Sequence, residues 1–209
     1  MDNQIIINVG RQIGSGGRMI AQQLAGIFNA QFYDREILSL AAVESGFAPE
    51  FFEQNDEHKG FFRTLFHMHA PHVADNNFYA NNFSQEGLFK FQSDAIRKAA
   101  GEGSCVFVGR CADYVLRDFP NAVNIFITAP IDFRIGHVAE RHHCSPEEAR
   151  KMIEKGEADR ASYYNYYTGK RWGQADGYHL CVDASRLGIE GTAAYIAHYV
   201  QYGAMPSHQ

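Results

Sequence analysis

The sequence has no basic excess, no cysteines paired at metal-binding spacing and no apolar run of membrane-spanning length. Nineteen Lys and Arg against 24 Asp and Glu leave a formal net charge of -5, whereas a general binder of nucleic-acid polymers carries a basic surplus. A local basic pocket for a phosphorylated small molecule stays open, because net charge says nothing about clustering. The four cysteines (Cys105, Cys111, Cys144 and Cys181) include no CxxC pair. Cys105 and Cys181 lie in or beside apolar runs that read as strands, so buried free thiols in a reducing compartment are expected. A membrane-crossing helix needs about 20 predominantly apolar residues in a row, and the sequence contains no such stretch. Ile5-Ile6-Ile7 is too short for a signal core and runs straight into glycines. A cytoplasmic protein with no membrane partner is the expectation.

What the sequence does contain is material for one sizeable core: 209 residues, 45% hydrophobic and 13% aromatic, suited to a single α/β domain. Residues 4–9 form a short β-branched apolar run, the pattern of a buried parallel strand. A glycine-rich stretch from Gly10 to Gly17 follows. Ile20, Leu24 and Ile27 then recur at helical spacing, with Ala21 and Phe28 alongside. Strand, glycine loop and helix make the opening of a phosphate-binding βα unit. Further strands are predicted at residues 31–33, 106–108, 123–128 and 180–182, with helices over 35–44, 84–100, 130–142, from 146 onward, and 189–202. Ser145-Pro146-Glu147-Glu148 is a strong start signal: a capping serine, proline at the first helical position, then acids in the first turn. Strands alternating with helices predict a five-stranded parallel sheet with helices on both faces. Residues 58–82 lack clean periodicity and are read as short helices.

The glycine loop departs from the standard pattern G-x-x-x-x-G-K-[ST]. With Gly16 as the second glycine, the lysine position falls on Gly17 and the hydroxyl position on Arg18. With Gly17 instead, these positions fall on Arg18 and Met19. Neither register supplies the usual hydroxyl for magnesium. A nest of backbone amides needs glycine more than lysine, and Arg18 or Arg11 can bring the positive charge, a guanidinium gripping two phosphate oxygens at once.

Read together, several segments resemble the cytidylate-kinase-like family of P-loop proteins. They are Gly14-Ser15-Gly16-Gly17-Arg18, Phe32-Tyr33-Asp34-Arg35-Glu36-Ile37-Leu38, the acidic pair Asp56-Glu57, and Val108-Gly109-Arg110-Cys111-Ala112-Asp113. Residues 125–134, 159–173 and 178–191 complete the set in order along nearly the whole chain. The resemblance implies the P-loop kinase fold with the loop-bearing strand in mid-sheet, an acceptor-side helical region at about 35–101 and a lid-like region at about 145–175. It implies ATP with Mg2+ as donor and a pyrimidine nucleoside monophosphate such as CMP as acceptor. Cofactor binding falls to Gly14, Ser15, Gly16, Gly17, Arg18 and Met19.

For the acceptor, Arg110 follows a buried strand at the sheet edge where open α/β proteins bind ligands. By the resemblance it grips the acceptor phosphate, with Asp34 and Asp113 beside it, although Asp34 can equally cap the helix after it. Phosphoryl transfer needs positive charge on equatorial oxygens, so Arg18, Arg134 and Arg160 are the candidate catalytic side chains. Lys170-Arg171 beside Trp172 can clamp a base or phosphate or form a solvated turn. His67, His69 and His72, like His142-His143-Cys144, lack the spacing of a ligand set, and no protein metal site is read. The tyrosines at 163, 164, 166 and 167 are read as packing or a subunit contact, which leaves a homo-oligomer open. Two other readings stand beside the kinase: a nucleotide-binding regulatory protein that lost turnover with its lysine, and a kinase of another small metabolite.

Overall fold

The computed structural model describes residues 4–34 and 85–203. The chain divides into two compact units, residues 1–34 with 99–209 and residues 35–98. In the second unit only 85–98 are described, as part of a helix. The expectations for residues 35–84, including the acidic pair at 56–57 and the histidines at 67, 69 and 72, lie outside the described residues.

The first unit is built on five parallel strands: β1 (Ile6–Arg11), β2 (Gln31–Tyr33), β3 (Cys105–Val108), β4 (Ala122–Thr128) and β5 (Leu180–Asp183). They lie side by side in the order β2-β3-β1-β4-β5, with β1 central as expected. Helices α1 (Gly17–Ile27), α2 (Gln85–Glu102), α3 (Ala112–Val115), α4 (Ile131–His142), α5 (Pro146–Thr168) and α6 (Gly188–Gly203) occupy the connections. The central strands β1, β3 and β4 are rich in Ile, Val and Phe and largely buried on both faces, the signature of a parallel sheet. Ile7, Val9, Val106, Val108, Ile125 and Ile127 point to one side, where Ile20 and Leu24 of α1 and Ala193, Ile196 and Val200 of α6 close over them. On the other side Trp172 and Tyr178 pack on Phe126, with ring centroids 5.2 and 4.9 Å away.

Three details correct the sequence reading. β1 continues through Gly10 and Arg11 rather than ending at Val9. Gly10 belongs to the sheet, and it is a glycine because a Cβ would lie 2.8 Å from the Phe126 ring. Ile27 ends the helical stripe on the exposed side, and Ala25 takes the inner position. Cys105 and Cys111 are buried, but Cys181 is exposed: β5 is an edge strand, and its alternation turns Cys181 away from the core that holds Val182. The start of α5 follows the sequence closely. Ser145 Oγ accepts from the Glu148 amide at 3.2 Å while the Glu148 carboxylate accepts from the Ser145 amide at 2.9 Å, a reciprocal capping box.

Candidate active site

The loop between β1 and α1 is held at every residue. Gln12 continues the ladder, its amide donating to Ile127 O at 2.9 Å, and its side-chain oxygen accepts from Thr128 Oγ1 and from the Ala129 amide. The Ile13 amide donates to Glu157 Oε1 at 2.6 Å. The Ile13 side chain packs beside Ile135, Val138, Ala149 and Ile153 of the α4–α5 hairpin. Gly156 of α5 is a glycine because the Ile13 side chain fills the space of a Cβ. Gly14 has φ +79° and lies against the backbone of Arg134, so that a Cβ would be 2.6 Å from Arg134 O. Ser15 closes the turn, its hydroxyl donating to Gln12 O at 2.8 Å. Gly16, also at φ 79°, is the N-cap of α1.

This clamping leaves donors facing no acceptor. Among the described residues the N–H groups of Gly14, Gly16 and Arg18 have no hydrogen-bond partner, and that of Gly17 reaches Ser15 Oγ at 3.3 Å. α1 has 11 residues with no acidic side chain in its first turn and no side-chain cap. Open amides on a glycine turn, at the positive end of a helix dipole, form a cradle for polyphosphate.

Cations crowd the same edge of the sheet. Arg11 ends β1, with its side chain about one-fifth exposed. Arg160 donates from Nη1 to Arg11 O at 2.8 Å. Burial first, and then the charges of Arg160 and Arg110, pull the Arg11 guanidinium down to about 9, with Asp34 and Glu157 acting in the opposite sense. It is still cationic at neutral pH. Arg160 is lowered too, mainly by burial and in part by Arg110, against Glu157 and Asp34. Arg110 lies in an uncommon backbone run: Gly109, Arg110 and Cys111 have φ of 74°, 57° and 54° in succession. Left-handed non-glycine residues cost about 1–3 kcal/mol each and persist where the surroundings over-determine them. Two carboxylates answer this charge. Asp34, buried at the end of β2, accepts from Arg18 Nε at 2.6 Å and lies 3.9 Å from Arg11 Nη2. Glu157 pairs with Arg134 at 3.6 Å, and burial holds its carboxyl above the usual range.

The structure therefore brings Gly14, Ser15, Gly16, Gly17, Arg18, Asp34, Arg110 and Arg160 to one edge. Arg18 is tied to Asp34 and its guanidinium stands 5.7 Å over the Phe32 ring. Arg134 is buried; its Nη1 reaches Glu157 only at ion-pair distance, and among the described residues its Nε has no hydrogen-bond acceptor. Its main chain supports Gly14 from below. Met19 is 54% exposed and offers no polar atom of use to a metal. Asp113 is buried and accepts from Tyr164 Oη at 2.6 Å; burial raises its carboxyl, with the Tyr164 bond the largest opposing influence. Trp172 lies on Phe126, which makes the segment around it part of the packing. Gln12 and Glu157 are the members of this arrangement that the sequence reading did not name, and Arg11 was named only as an alternative to Arg18 for the loop's charge. Arg11 had a signal, as the one charged residue between an apolar strand and the glycines; Glu157 had none within a helix of alternating charges.

Comparison with known proteins agrees with this architecture. A model of the cytidylate kinase-like family matches residues 6–186. No curated protein matches the sequence. Among solved structures, an uncharacterized protein from Eubacterium ventriosum is 28% identical, with a TM-score of 0.71 over 95% of this chain and 99% of that one. Shikimate kinase from Bacteroides thetaiotaomicron (11% identical, TM-score 0.55) is aligned over 95% of this chain and 99% of its own. Shikimate kinase from Acinetobacter baumannii, solved with shikimate (12%, 0.53), is aligned over 97% and 96%. These two share the fold.

Proposed function

The chain belongs to the cytidylate kinase-like family, and on that footing we propose that it transfers the γ-phosphoryl group of ATP to a nucleoside monophosphate, with CMP or a related pyrimidine nucleotide as acceptor. An acceptor phosphate oxygen forms the new bond to the γ-phosphorus. The bond to the β–γ bridging oxygen breaks, and its electron pair leaves with ADP. Phosphoryl transfer asks little covalent chemistry of a protein, so positioning and charge stabilisation carry it. The open amides of Gly14, Gly16 and Arg18 fit the donor phosphates. Arg110 and Arg160, at the ends of β3 and α5's inner face, suit an acceptor that is itself anionic. The α4–α5 hairpin, already fastened to the loop through Ile13 and Glu157, is the element that excludes water as a lid.

Mg2+ is expected with ATP. Arg18 or Met19, according to register, stands where the standard loop has its metal-holding hydroxyl, and neither carries one; Asp34 and Glu157 are committed to arginines. The chain therefore fits a metal held chiefly by phosphate oxygens and water, a common arrangement for this ion.

The single observation behind this reading is the unpartnered amide nest facing an arginine-rich edge. The test is ADP release from ATP and Mg2+ across a panel of nucleoside monophosphates and small hydroxylated acids. Release that depends on a pyrimidine nucleoside monophosphate is the expected result. Release with a hydroxylated metabolite alone moves the acceptor to another class. Thermal stabilisation by ATP with no release under any condition identifies a nucleotide-binding regulator, and neither binding nor release overturns the proposal.

A further inference from the structure

We propose that Arg11 supplies the cation that the phosphate loop otherwise lacks, and that Gly17 is a glycine because Arg11 occupies the room a side chain at that position needs. This rests on the phosphate-loop reading above and concerns which residue carries the charge within it.

The argument begins with Gly17, which stands at the lysine position of the standard pattern when Gly16 is the second glycine. Gly14 and Gly16 have positive φ and need glycine for that reason alone. Gly17 does not; it opens α1 without a left-handed backbone. What excludes a side chain there is space. A Cβ on Gly17 would lie 2.5 Å from Arg11 Cβ and 3.2 Å from Ile127 Cβ. Neither neighbour can yield, because Arg11 and Ile127 are paired in the β1–β4 ladder and Arg160 holds the Arg11 carbonyl. On the other side of Arg11, its guanidinium Nη1 fills the place a Cβ on Gly109 would take. Arg11 thus runs in a slot walled by glycines, from the β1 end toward the strained segment that carries Arg110.

Charge points the same way. Arg18 is the other cation beside the loop, but it is half-exposed and its Nε is bound to Asp34 at 2.6 Å. That bond takes the closer oxygen of Asp34 and leaves Arg11 with the second at 3.9 Å, the outer limit of an ion pair. Arg11 faces Arg110 and Arg160 as well, so an anion between these guanidiniums relieves repulsion that Asp34 alone does not. A lysine at 17 and an arginine at 11 are therefore alternative ways of delivering one positive charge to the same cradle. This chain has the second.

The test is titration calorimetry of the full chain with ATP and MgCl2, with apo melting curves for each variant as the measure of folding. Arg11→Gln keeps Cβ, Cγ and Cδ, the part of the side chain that crowds Gly17, while removing the guanidinium and its charge. It is expected to weaken MgATP binding about 10- to 100-fold, the worth of one charge-assisted hydrogen bond to phosphate. Gly17→Lys alone is expected to lower the melting temperature and weaken binding, since both side chains claim one space. The decisive variant is Arg11→Gly with Gly17→Lys, because alanine at 11 would leave the obstructing Cβ in place. It is expected to recover at least tenfold of the affinity lost in Arg11→Gly alone, which a merely structural role for Arg11 would not produce. Wild type that binds while Arg11→Gln binds equally well overturns this inference and leaves the phosphate-loop reading standing. So does Gly17→Lys that folds and binds like wild type. Wild type that takes up no MgATP overturns both.

Discussion

Tyr164→Phe tests how the strained segment bearing Arg110 is held. Asp113 and Tyr164 are 8% and 6% exposed, and the hydroxyl donates to Asp113 Oδ2 at 2.6 Å. Removing one oxygen leaves almost no cavity, so the cost is that of the hydroxyl's hydrogen bonds with Asp113 and Tyr178, and the bond to Asp113 is the one that depends on the carboxyl's charge. For a buried bond to a charged group this is about 1.5–3 kcal/mol, and for a neutral pair about 0.5–1.5 kcal/mol. The difference makes the cost depend on pH. Burial raises the Asp113 carboxyl above its ordinary value, against the lowering influence of Tyr164. Ionising Asp113 therefore costs the native state more than the unfolded chain. Its favourable contribution is complete below the unfolded carboxylate range and is lost as pH rises through the folded value. Without Tyr164 that loss grows, because the bond that favours the ionised form is gone. Denaturant unfolding of wild type and Tyr164→Phe should give a stability difference of about 2–3 kcal/mol near pH 8 and under about 1.5 kcal/mol near pH 4. A difference that is equal at the two pH values, or larger in acid, refutes the argument. So does a protein that tolerates the loss at both.

Three further outcomes follow from the same geometry. Gly14→Ala places a Cβ 2.6 Å from Arg134 O at a positive φ; it should cost about 1–3 kcal/mol of stability and abolish the rise in melting temperature produced by MgATP. Arg160→Ala removes both a charge and the donor that holds Arg11 O; acceptor-dependent ADP release should fall about 100-fold or more in kcat/KM, measured by a coupled assay. A thiol reagent at mildly alkaline pH should label exposed Cys181 in the native protein well before Cys105, whose thiol burial pushes up to about 12; equal labelling rates would contradict the burial described here.

Local regularities made the fold legible in the sequence. β-branched runs, glycines and a capping serine act over a few residues, so the strands read at 106–108 and 123–128, each one residue short of its observed start, the α5 start and the βα unit at the N-terminus could be read without knowing what they touch. The resemblance carried the central place of the loop-bearing strand, while the full sheet order and the meeting of Asp34, Arg110 and Arg160 at one edge came from the structure. What only the tertiary structure decided was which charged groups answer one another. Arg11 and Gly17 are six residues apart, and their competition for one space appears only when β1 and α1 are folded back across the loop. Glu157 meets Ile13 across 144 positions, and Tyr164 meets Asp113 across 51. Electrostatics and sterics act through distance in space, and no periodicity along a chain records that distance. Gly10 shows the same limit in reverse: a glycine that reads as loop in one dimension is a strand residue yielding to the Phe126 ring in three.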